Sequence, residues 1–76
     1  VAHEHNALYP LLVDLRLALL FHPLENPNKI LKCAASQMLV YRMHPAPVCK
    51  PIYQTILGMK APWLAFRKAF QEAGLL

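Results

Sequence analysis

Between Tyr9 and Phe21 the chain reads YPLLVDLRLALLF, apolar on almost every side of a helix. At helical spacing Leu8, Leu11, Leu12, Leu15 and Leu19 form one stripe, and Val13, Leu17, Leu20 and Phe21 form a second on another side. Only Asp14 and Arg16 carry charge in this run. A helix that is apolar all round is buried on more than one side. A chain of 76 residues can cover one stripe with its own helices and has little left for the other. The pattern therefore predicts a partner for Val13, Leu17, Leu20 and Phe21, most simply a second copy of the chain.

Seven prolines divide the chain. Val1 to Asn6 (VAHEHN) reads as a polar tail, so residues 7–76 form a single domain. The first helix begins near Asn6, a good N-cap, and stops before Pro23. Asn26-Pro27 reads as N-cap and first helical position of a second helix that runs to about Met43. Its apolar stripe is Ile30, Leu31, Ala34, Met38 and Tyr41, with Lys29, Lys32 and Ser36 opposite. Ala34 and Ala35 are small enough to let another helix approach closely.

His44 to Pro51 (HPAPVCKP) reads as a stiff connector, because each proline disfavours helical geometry at the residue before it. A third helix spans about Val48 to Leu57, with Val48, Ile52, Ile56 and Met59 in line. A fourth starts at Pro62 and aligns Trp63, Phe66 and Phe70 on one face. Gly74 suits the left-handed residue of a Schellman ending, which would bring Leu75 back onto Phe70. No strand-like alternation or repeat interrupts this pattern. The predicted fold is all-α, a compact bundle of four short helices that dimerises through the first.

Composition sharpens the expectation of a partner. The apolar content of 57% exceeds the roughly 45–50% of ordinary domains. The run from Ala7 to Phe21 is too short and too charged for a membrane span of about 20 residues. Its flanks are not those of a signal peptide. A cytoplasmic protein without a transmembrane segment is expected, with Cys33 and Cys49 as reduced buried thiols. One disulfide between the second and third helices is the alternative.

The net charge of +4 is spread along the chain. The four acidic residues show no spacing that pairs them on a helix face, and Ser36 has no nucleophile-elbow context. Gly58 and Gly74 are the only glycines, which excludes a glycine-rich phosphate loop. Cys33, Cys49, His22 and His44 lack zinc-site spacing, and the HxH of His3 and His5 is incidental. The chain is read as a non-enzyme with no catalytic residue, metal or cofactor.

Two function classes follow. The preferred one is a small helical binding module, a regulator or adaptor. It would dimerise through Val13, Leu17, Leu20 and Phe21 and offer a protein partner the outer side of the last helix, Leu64, Arg67, Lys68 and Gln71. The other is a DNA-binding protein. Residues 51–72 read helix, turn, helix, and Leu57-Gly58-Met59 resembles the turn of a helix-turn-helix motif. Lys60, Arg67 and Lys68 would then face phosphates and bases. Against this, Trp63 and Phe66 claim much of the second helix for packing, and its first turn has no Asn or Gln for adenine contact.

Overall fold

The computed structural model describes the backbone of residues 2–23, 25–44 and 46–76, and side chains within those ranges from Tyr9 onward. Among the described residues the chain forms four α-helices and no strand: α1 (Ala2–Phe21), α2 (Pro27–Tyr41), α3 (Ala46–Gly58) and α4 (Pro62–Glu72). The radius of gyration, 11.5 Å, matches the ~11 Å expected of a compact domain of this length.

α2 is the hub. It packs against all three other helices, most extensively against α3, while α4 rests on α2 and α1 and barely touches α3. Leu11, Leu12 and Leu15 of α1, Leu31, Ala34, Ala35 and Met38 of α2, Cys49, Tyr53 and Ile56 of α3, and Phe70 of α4 form one buried cluster. Ala35 is fully buried. Its single methyl keeps the α2 surface low where other helices close on it, as the small residues Ala34 and Ala35 predicted.

The helix ends follow local chemistry. Asn26 is extended, and its Oδ1 accepts from the Asn28 N–H at 2.9 Å, so the predicted N-cap is formed. At the far end of α4, Leu75 N–H donates to the Phe70 carbonyl at 2.8 Å and Gly74 N–H to that of Gln71 at 3.1 Å. Gly74 has φ +72°. These two bonds are the Schellman pair, and Leu75 packs on the cluster that contains Phe70.

Four local expectations change. The α1 backbone is helical from Ala2 rather than from Asn6, so Pro10 lies inside the helix, not in the first turn where a start near Asn6 would place it. Ala2, Glu4, Ala7 and Leu8 are good helix formers, and the proline forfeits one backbone bond without ending the helix. α2 stops at Tyr41, short of Met43, because Arg42 turns left-handed (φ 50°, ψ 48°). Tyr41 then stands beyond the packed end of its stripe and is 73% exposed.

The predicted connector is largely helix. α3 begins at Ala46 and carries Pro51 inside it. Its Pro47 falls in the first turn, where no donor is needed. The buried line of α3 is Cys49, Tyr53 and Ile56, about one residue round from the predicted Val48, Ile52, Ile56 and Met59. Both lines are apolar, so spacing does not rank them, and Ile52 still packs half-buried against the same core. Val48 is left exposed.

The start of α4 is held by another helix. Ala61, its N-cap residue, makes no side-chain cap. Instead Asn28 of α2 accepts the Trp63 N–H on its Oδ1 at 2.8 Å. Asn28→Ala removes an acceptor for a helix-start donor and is expected to cost about 1–2 kcal/mol. Urea denaturation should show a lower midpoint at unchanged slope; an unmoved midpoint would mean that this bond holds nothing.

Candidate functional site

α1 divides into two faces. Leu11, Leu12 and Leu15 are buried and Ala18 and Leu19 pack beside them, so the first predicted stripe is the core stripe as far as its side chains are described; Leu8 lies outside the described side chains. The second stripe faces outward. Val13 is half-buried, Leu17 is 41% exposed, Leu20 56% and Phe21 77%. At 3.6 residues per turn these four lie within about 100° of one another round the axis. Tyr9, exposed too, extends the same face toward the N-terminus. The outer face thus runs for roughly 18 Å at the helical rise. Arg16 and Asp14 flank it.

The other predicted surface lies on α4. Leu64, Arg67, Lys68 and Gln71 are all exposed and follow the spacing of one helix face, with Lys60 exposed in the preceding turn. Lys68 Nζ is 4.0 Å from Glu72 Oε1, with both side chains largely in water. Such a pair adds little to stability. Trp63 and Phe66 are half-buried on the opposite side and Phe70 fully buried, so the aromatic stripe is core. Trp63 and Phe70 meet in a tilted arrangement, 5.9 Å between ring centroids. In the segment 51–72, α3 and α4 flank a short turn, but each is anchored on α2 rather than on the other.

A third feature has no signature in local spacing. His44 Nε2 lies 2.6 Å from Asp14 Oδ2, joining the turn after α2 to the middle of α1. The imidazole is 12% exposed and the carboxylate 30%. With Asp14 ionised, Nε2 must carry the proton, which leaves Nδ1 as an acceptor in the neutral ring. The Tyr53 ring lies 6.3 Å from that of His44. The two residues of the pair are 30 positions apart, so only the packing of α1 against the turn brings them together.

Cys49 lies on the same helix face as Tyr53 and is buried, whereas Cys33 is exposed, contrary to the expectation of two buried thiols; both are free. Burial pushes the Cys49 thiol above its ordinary value of 9.0. It therefore stays a neutral thiol at physiological pH and lacks the depressed pKa of an activated nucleophile. The Tyr53 phenol is raised too, first by burial and then by the charges of Cys49 and Asp14. Its hydroxyl is buried without a hydrogen-bond partner among the described residues.

Both groups hold their protons more tightly in the folded chain than in the unfolded one. Their contribution to stability is therefore complete below the unfolded values of 9.0 and 10.0 and is lost as pH rises through the folded ones. Stability should fall from about pH 9 upward. Tyr53→Phe should make that fall shallower above about pH 10, leaving the part due to Cys49, and should leave neutral-pH stability equal or improved, because it deletes an unpaired buried hydroxyl. A pH series of thermal melts showing the same alkaline limb in both proteins would contradict this.

Among the described residues no three His, Cys, Asp or Glu side chains gather to hold a metal ion, and no helix is long and apolar enough to cross a membrane. His3 and His5 lie outside the described side chains. A scan against protein-family models and searches of curated proteins and solved structures found no match to this chain.

Proposed function

We propose that this chain is a small non-catalytic helical binding module, a regulator or adaptor, that forms a homodimer through the outer stripe of α1. The observation that carries the reading is the exposure of Leu17, Leu20 and Phe21 on a helix whose opposite face already fills the core. Large apolar side chains in a row on a small domain favour burial against another protein. A two-fold pairing lets the same stripe cover itself, the commonest oligomer geometry. The outer face of α4 is left for a further protein partner, with Leu64 as its apolar contact and Arg67 and Lys68 as a basic rim that favours an acidic surface. The exposed free thiol of Cys33 fits a reducing compartment such as the cytoplasm.

Sedimentation equilibrium tests the reading. The parent should be a dimer at micromolar concentration, and Leu17→Glu with Leu20→Glu should give a monomer with the parent's helical circular dichroism. A stable parent monomer would remove the basis of the proposal. The DNA-binding alternative, through residues 51–72, is examined with the same material. We expect no duplex binding at physiological salt from the parent or from Arg67→Ala with Lys68→Ala, and near-parent melting of that variant. Micromolar binding of random duplex, steeply salt-dependent and lost in the double variant, would establish the alternative instead.

A further inference from the structure

Away from both surfaces, a cleft of about 290 Å³ opens where α2 ends and α3 begins. Arg42, His44, Lys50 and Tyr53 bring polar groups to its lining, Met38 and Leu39 apolar ones. Among the described residues neither Arg42 nor Lys50 pairs with a carboxylate, and the Asp14 carboxylate is already engaged by His44. Two unspent cations and the imidazole thus share one concavity.

Two further observations single out this place. Arg42 closes α2 in a left-handed conformation, which favours Gly or Asn over a long side chain. Strained backbone of this kind gathers at binding sites, where the side chain is needed despite its conformation. The Tyr53 side chain is 2% exposed, and its hydroxyl has no partner among the described residues. A buried donor in that state is unusual, and this one belongs to a residue of the cleft wall.

We infer that this cleft binds a small organic anion, its phosphate or carboxylate group held between Arg42 and Lys50 and its apolar body against Met38 and Leu39. Pockets that take small molecules combine an apolar wall with a few convergent polar groups, and this volume lies at the small end of their range. A guanidinium suits either headgroup because its fork matches two oxygens at once.

Nuclear magnetic resonance titration of the full chain tests the inference. Phenyl phosphate and benzoate are the organic probes, with inorganic phosphate and neutral benzyl alcohol for comparison. At least one organic anion should saturate at millimolar concentration, with shifts centred on the end of α2 and the first turns of α3; the tighter of the two identifies the headgroup. Arg42→Gly and Lys50→Gln should each weaken it about tenfold, the contribution of one charge-assisted hydrogen bond. Arg42→Gly should melt at or above the parent temperature, since glycine relieves the left-handed strain, so its lost binding cannot be ascribed to unfolding. Unchanged affinity in both variants, shifts centred on Arg67 and Lys68, equal binding of inorganic phosphate or benzyl alcohol, or no saturation by either organic anion would overturn the inference.

Discussion

Phe70→Ala is expected to lower the unfolding free energy by about 3–5 kcal/mol, the range for emptying an aromatic core site. Phe70 is fully buried, packs its ring at a tilt against Trp63 and supplies the carbonyl that accepts the Leu75 N–H. It is the only α4 side chain in the central cluster, so α4 loses its main anchor with it. A domain of this length has a margin of roughly 4–11 kcal/mol. The variant should melt far below the parent, or lie partly unfolded at room temperature near the lower bound. Thermal unfolding followed by circular dichroism measures this, and a melt matching the parent's would show that Phe70 is not core.

Leu31→Ala is expected to cost about 2–5 kcal/mol. Leu31 is fully buried on α2, the helix that packs on all three others. A cavity there cannot be closed by moving one neighbour, because shifting α2 toward one helix pulls it from another. Relaxation should be small and the cost toward the upper part of the range. Leu64→Ala is the control. Leu64 is 74% exposed, and its loss should change stability by less than about 0.5 kcal/mol. Equal denaturation midpoints for the two leucine variants would place the core elsewhere.

The two faces of α1 show how far sequence reasoning reaches. Periodicity separated Leu11, Leu12, Leu15 and Leu19 from Val13, Leu17, Leu20 and Phe21, and the second set is the one on the outside. Yet periodicity alone does not rank two apolar stripes. On α3 the same ambiguity went the other way: the buried line is Cys49, Tyr53 and Ile56, so that of the predicted Val48, Ile52, Ile56 and Met59 only Ile56 is fully buried. The surface of α4 was legible because its outer face is polar and its inner face aromatic, a contrast that leaves one orientation.

By itself, then, the sequence determined what is local. The count of helices, the Asn26 cap, the Gly74 ending and the division of α4 into aromatic and basic sides each depend on residues within a turn or two of one another. The tertiary structure decided what joins distant residues. Asn28 caps α4 from α2, His44 meets Asp14 across 30 positions, and Arg42, Lys50 and Tyr53 share a cleft with no spacing motif between them. Hydrogen-bonding rules state that a helix start or a buried imidazole needs a partner. Which residue supplies it depends on how the helices pack, and packing is set by the whole core rather than by any one segment.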